Sequence, residues 1–201
     1  VRDGQTDTMK IMEIIDTYIM QKVDAFLLAG AVDLRGLVPG IKQLNAAKIP
    51  VASLDTSPEG GFVDFFYSFD LEKSSVKATE AFIEGIKKRN GGKVPDGVVI
   101  EIIGDHADMF SHECSAGFNS VMKKYPQLKI AQGEGKWNNT DTNTKVTDLL
   151  TRHGKDVLGV YVQTPDIMGA GAVSAIEAAG LNVKDYGICG ICIGPEGLEL
   201  I

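Results

Sequence analysis

The sequence predicts an α/β fold: two similar doubly wound lobes of parallel sheet with helices on both faces. Three observations carry this reading. Apolar runs of strand length recur at residues 25–29, 49–54, 98–103, 128–131, 158–162 and 186–193. Between them lie amphipathic stretches of helix length, bounded by Asp, Gly, Pro or Thr, the residues that start and stop helices. The pattern then breaks at residues 89–97, where glycine and proline concentrate, and restarts. Strand–helix–strand alternation lays parallel strands side by side and needs helices over both sheet faces. The break predicts a first lobe over residues 1–92 and a second over 93–201. Such sheets take ligands at the carboxyl ends of their strands, so the residues just after each apolar run are the candidates for function.

Each element has a local reason. Thr6 or Asp7 caps a helix whose apolar face is Met12, Ile15 and Ile19, spaced at the 3.6 period. Residues 24–30 read as a buried strand and 34–47 as a helix. Pro50 stands at the entrance of the next strand, where a missing backbone donor is tolerated. Residues 55–61 form a turn, and 62–69 an aromatic-rich extended segment. Residues 71–88 make the clearest helix, with Val76, Ala78, Thr79, Phe82 and Ile86 as its inner stripe. After the break come strands at 98–104, 128–132, 157–163 and 186–193, with helices at 111–125, 141–153 and 166–179. Gly169 and Gly171 lie inside the last helix, where close helix packing explains them.

Composition excludes several classes. With 201 residues, 44% hydrophobic and 23% charged, the chain matches an ordinary globular α/β protein. Its net charge is −7 and its basic cluster is the short Lys87-Lys88-Arg89, so this segment lacks the concentrated positive face that nucleic-acid binding needs. No apolar run approaches the roughly 20 residues of a membrane helix. Three cysteines fit no even disulfide framework. Cys189 and Cys192 spell Cys-x-x-Cys, but on a strand that spacing puts them on opposite faces, where neutral packing is expected. Cys114 and Cys192 with His106 or His112 match no standard zinc spacing, so no metal is expected. His106 stands among Asp105 and Asp108 with no nucleophile paired to it. No phosphate loop is present. Neither an enzyme nor a cofactor is expected. The polar opening at residues 1–8 leads straight into a helix, and Gly194-Pro195-Glu196 opens another, so at least one further strand is expected outside this sequence.

Three stretches, in order across nearly the whole chain, resemble a family. The first is Val23-Asp24-Ala25-Phe26-Leu27-Leu28, followed one helix later by Ala46-Ala47-Lys48-Ile49-Pro50-Val51-Ala52-Ser53-Leu54-Asp55. The second is Ala116-Gly117-Phe118 with Lys124-Tyr125-Pro126. The third is Asp166-Ile167-Met168-Gly169-Ala170-Gly171-Ala172, then Ala175-Ile176-Glu177-Ala178-Ala179-Gly180, Gly190 and Pro195-Glu196. Together they are similar to the sugar-type periplasmic solute-binding proteins, whose relatives include the effector domains of lactose-repressor-type regulators. The resemblance implies a fragment of a monomeric receptor of an ABC-type importer, periplasmic or extracellular and lipid-anchored. Its two lobes would close over a small polar, sugar-like ligand and hand it to a membrane permease. The alternative is the effector domain of a regulator, and whatever precedes Val1, a signal peptide or a helix-turn-helix, would separate the two.

The resemblance also implies a site. Asp55, at the end of its strand, stands where the family has an acid that accepts ligand hydroxyls. Trp137, the single tryptophan, stands where the family stacks an aromatic on the sugar ring. Elsewhere the chain departs from the pattern. Cys114 replaces an arginine, Thr164-Pro165-Asp166 covers an Asn-Asp pair, and Cys192 replaces an aspartate. Each change alters a group that grips hydroxyls, so Asp166, Thr164, His106 and His112 are the expected replacements, and a ligand with fewer hydroxyls facing this lobe is expected.

Overall fold

The computed structural model describes residues 1–5, 7–30, 34–55, 57–192 and 194. The element order is α1 (Thr8–Gln21), β1 (Phe26–Ala29), α2 (Leu34–Ala46), β2 (Val51–Leu54), β3 (Phe65–Tyr67), α3 (Leu71–Arg89), β4 (Gly97–Ile103), α4 (Met109–Met122), β5 (Leu128–Glu134), α5 (Asn139–His153), β6 (Val157–Val162), α6 (Pro165–Ala178), α7 (Val183–Tyr186) and β7 (Ile188–Cys189). A single 3₁₀ turn, Gly154–Asp156, joins α5 to β6. The chain forms two compact units: residues 1–69 with 107–109, and residues 70–106 with 110–201.

The first unit holds a parallel sheet in the order β1-β2-β3. Asp7 starts α1 by accepting from the backbone N–H groups of Met9 and Lys10. Ile15 is fully buried, and Met12 and Ile19 pack partly buried against the same core of Phe26, Leu28, Leu37, Ile41 and Val51. The helical period read from the sequence thus holds. Thr6, the other cap candidate, lies outside the described residues.

The second unit holds a parallel sheet in the order β5-β4-β6-β7. Alternate residues of β4 face opposite layers, as a strand requires. Val98, Ile100 and Ile102 join Val146, Leu149, Ala172 and Ile176 from α5 and α6. Val99 faces the other way, with Phe82 and Ile86 of α3 and Phe118 and Val121 of α4. Helices therefore cover both faces, the doubly wound arrangement. Gly171 lets α6 approach α5 closely: a Cβ there would strike the Asn139 carbonyl, and Asn139 Oδ1 accepts from the Gly171 N–H at 2.8 Å.

Four expectations need correction. The units divide at Phe69/Asp70 rather than after Gly92, because α3 packs Phe82, Ile83 and Ile86 into the core of the second sheet. The inner stripe of α3 runs through Ser75, Thr79, Phe82, Ile83 and Ile86, with Val76 and Ala78 only partly buried. Ser75 can be buried there because its hydroxyl meets Tyr161 Oη at 3.0 Å. The strand expected over 186–193 is only Ile188–Cys189; Tyr186 ends α7, and Gly187, at φ 63°, turns the chain into the strand. Cys192 therefore lies beyond the strand rather than on it. Of the helix expected from Gly194-Pro195-Glu196, only Gly194 is described; Ile193 and the residues from Pro195 onward fall outside the described residues.

Candidate functional site

Ligand-accepting residues were expected at the carboxyl ends of strands, and the second sheet ends in an unusually polar edge. It is organised by Gln163, a fully buried residue directly after β6. Its Oε1 accepts from the Gly104 N–H at 3.0 Å, and its Nε2 donates to the Ser111 carbonyl at 2.9 Å and to Ser115 Oγ at 3.2 Å. One side chain thus ties the end of β4 and the start of α4 to the end of β6. Ser111 Oγ accepts from the Asp105 N–H at 3.0 Å, and Glu134 Oε1 accepts from the His106 N–H at 2.9 Å.

Beneath this edge lies Glu101, fully buried in the middle of β4. Ser115 Oγ donates to one carboxyl oxygen at 2.7 Å and Gln132 Nε2 to the other at 2.8 Å. Burial pushes the carboxyl above its usual range, while both hydrogen bonds pull it down. Sequence reading missed Gln163 and Glu101. For Glu101 the signal was a lone acid inside Val-Val-Ile-Glu-Ile-Ile, which on a fully buried strand demands partners.

Thr164 stands at the N-cap of α6, where a threonine hydroxyl ordinarily accepts from the helix's first free N–H groups. Here it makes no capping bond. The residue is buried, yet its Oγ1 has no hydrogen-bond partner among the described residues. Two positions on, in the first turn of α6, the buried Oδ1 of Asp166 is also unpartnered. Buried polar atoms are nearly always paired, and leaving one unpaired costs about 1–3 kcal/mol. Both atoms lie at the start of α6, just after β6, and are candidates for ligand contact; Thr142 Oγ1 of α5 is a third buried oxygen without a hydrogen-bond partner among the described residues.

Trp137 follows β5. Its ring packs edge-on against Phe110, with centroids 5.4 Å apart and planes at 84°, and covers Gly104 so closely that a Cβ there would collide with the indole. It is half-buried, and stacking is left the remaining surface. Cys114 is fully buried with Leu71 and Phe110, and Trp137, Ile191 and Cys192 pack partly buried on that cluster. Cys189 instead donates to the Ala78 carbonyl at 3.3 Å, with burial raising its thiol pKa. His106 is exposed, and its carbonyl lies 2.9 Å from His112 Nε2.

Asp55 belongs to the first unit, directly after β2. It is exposed and adopts φ 75°, a left-handed conformation costly for most residues but tolerated by Asp. Its N–H donates to the Tyr67 carbonyl at 2.9 Å, and its own carbonyl accepts from Ser68 Oγ at 2.7 Å. Partial burial raises its carboxyl pKa. A groove of 590 Å³ in the same unit runs along β1, lined by residues including Tyr18, Phe26 and Leu28, and brings together none of the expected site residues. Among the described residues no group of three or more His, Cys, Asp or Glu could hold a metal, and no helix is long and apolar enough to cross a membrane.

The fold and the polar edge define a doubly wound α/β protein of the kind that takes ligands where its strands end. The whole chain, residues 1–201, matches the periplasmic binding protein domain, and the chain belongs to that family. It is 28% identical over 188 residues to a ribose import binding protein of Bacillus subtilis, covering 94% of this chain and 58% of the relative. It superposes with a TM-score of 0.81 on the binding component of the arabinose ABC transporter of Shewanella sp. ANA-3, solved with L-arabinofuranose. That match is 26% identical and covers 93% of this chain and 61% of the other. A solute-binding protein of Bacillus halodurans holding myo-inositol gives 0.83 at 23% identity, covering 98% and 66%, and bears on the fold alone. The chain spans just over half the length of the Bacillus subtilis relative, which is named for binding and import rather than for catalysis.

Proposed function

We propose that the chain is the ligand-binding part of a solute receptor of an ABC-type importer, taking up a sugar or a similar small polar molecule. The observation that carries this is the pair of buried, unpartnered oxygens, Thr164 Oγ1 and Asp166 Oδ1, at the carboxyl edge of the second sheet. A hydroxyl-rich ligand supplies the partners they lack. The names of the relatives point to the same class: ribose import and arabinose transport.

In this reading the second unit grips the ligand through Thr164 and Asp166 and rests it on the open part of Trp137. The first unit contributes Asp55, whose carboxylate accepts two hydroxyls. Contacts from both units favour a closed form, so binding and hinge closure are one event. The receptor then works outside the cytoplasmic membrane, as a monomer, and delivers its ligand to a membrane permease.

Calorimetric titration with ribose, arabinose, xylitol and myo-inositol tests the proposal, on wild type, Thr164→Val and Asp166→Asn. Thr164→Val removes a buried hydroxyl without a partner, so the unliganded protein keeps or gains stability while affinity falls about tenfold or more. Binding that is unchanged in both variants, or absent for every compound, refutes the assignment.

A further inference from the structure

Thr164 differs from four other residues that start helices in this chain. Asp7, Asp70, Asn138 and Asn182 each accept a capping bond from their own helix. Thr164 accepts none, and its backbone, at φ −129° and ψ 87°, lies outside the extended conformation that a capping residue normally takes. Its two neighbours hold it there. Pro165 fixes the helix side, because its ring locks φ and it brings no N–H to be capped. Gln163 fixes the strand side with every polar group it has. Its N–H donates to the Ile102 carbonyl at 3.0 Å, and its carbonyl accepts from the Ile191 N–H at 3.1 Å. Its side-chain amide spans from the Gly104 N–H at one end to Ser111 and Ser115 at the other.

The bond to Ser115 is set in turn by Glu101. Ser115 has one hydroxyl proton, which it gives to the Glu101 carboxyl, so it turns a lone pair to Gln163 Nε2. Without the Glu101 acceptor that proton would turn to the Ser111 carbonyl, one helical turn back, the usual acceptor for a serine within a helix. Gln163 Nε2 already uses that carbonyl, so the two donors would compete for it. The relay from Glu101 through Ser115 to Gln163 thus joins β4 and α4 to the residue immediately before Thr164. We infer that Glu101 and Ser115 are positioning residues for the ligand site: acting through Gln163, they keep the Thr164 hydroxyl off its own helix and free for a ligand. A hydroxyl placed beforehand spares the ligand the cost of ordering it. This rests on the reading of Thr164 as a ligand contact and deepens it.

Calorimetric titration with ribose, arabinose, xylitol and myo-inositol tests it on wild type, Ser115→Ala, Thr164→Val and the double variant. Ser115→Ala is expected to weaken binding about fivefold or more, and to have no further effect once Thr164 is replaced by Val. A merely structural role would weaken binding alike in both backgrounds. Glu101→Leu should behave as Ser115→Ala does, whereas Glu101→Gln, which keeps an oxygen for the Ser115 proton, should recover most of the lost affinity. If Ser115→Ala binds as wild type, or weakens binding equally with and without the Thr164 hydroxyl, the inference falls while Thr164 stays a ligand contact. If Thr164→Val itself binds as wild type, or no compound binds, the inference falls together with the reading it rests on. Ser115→Ala, the smallest of these changes, decides the matter even if Glu101→Leu fails to fold.

Discussion

The indole of Trp137 lies directly over Gly104, the residue that follows β4, with no room between them for a Cβ. Gly104→Ala is therefore expected to lift the ring from its seat against Phe110 at a cost of about 1–3 kcal/mol, as overpacking does. Because the chain has a single tryptophan, its fluorescence reads the change directly. A red-shifted emission with a lower urea midpoint is expected. An unchanged spectrum and midpoint would mean the ring is not held there.

Gln163 is the fastening of the polar edge. Gln163→Leu strips partners from the Gly104 N–H and the Ser111 carbonyl. The Gly104 N–H, a buried backbone donor left unpaired, predicts a loss of about 1–3 kcal/mol. Chemical denaturation should show a reduced midpoint, and hydrogen exchange at Gly104 should accelerate. Wild-type exchange there would contradict the role assigned to this side chain.

Glu101 gives stability a pH dependence. Its native carboxyl lies above the ordinary value of 4.5 through burial, so the folded protein takes up this proton more readily than the unfolded chain. The contribution is fully present below the unfolded value and is lost as pH rises through the native one. Glu101→Gln, which stays neutral while Gln132 turns its amide to pair with it, should remove that loss. As pH rises above the ordinary carboxylate range, its melting temperature is expected to rise relative to wild type. Parallel curves for the two proteins would refute the assignment.

Ser75 and Tyr161 tie α3 to the second sheet through one buried hydroxyl pair. Ser75→Ala and Tyr161→Phe are each expected to cost about 1 kcal/mol. The double variant should cost less than the sum, since the second change removes a group already orphaned. Strict additivity in urea unfolding would show that the two hydroxyls do not interact.

How far the sequence reaches follows from particular residues. The periodicity of Met12, Ile15 and Ile19, the apolar runs that became β1, β2, β4, β5 and β6, and the capping role of Asp7 are local properties, legible because a strand or helix imposes its repeat on neighbouring residues. The carboxyl-edge positions of Thr164 and Asp166 followed from the same logic. Other features depend on what a residue meets across the fold. The break at residues 89–97 looked like a domain boundary, but α3 joined the second unit because Phe82 and Ile86 found their partners on Val99, Phe118 and Tyr161. That Trp137 packs on Phe110 and over Gly104, and that Cys114 is enclosed with Leu71 and Phe110, could not be read locally. The hydrogen bonds of Gln163, and the lack of any at Thr164 Oγ1, join or separate groups on different elements. Sequence alone determined the alternation of strands and helices, because backbone geometry couples only near neighbours. Tertiary structure decided which polar atoms at the sheet's edge are buried and which of them are paired within the chain, because burial and pairing are set by atoms far apart in the sequence.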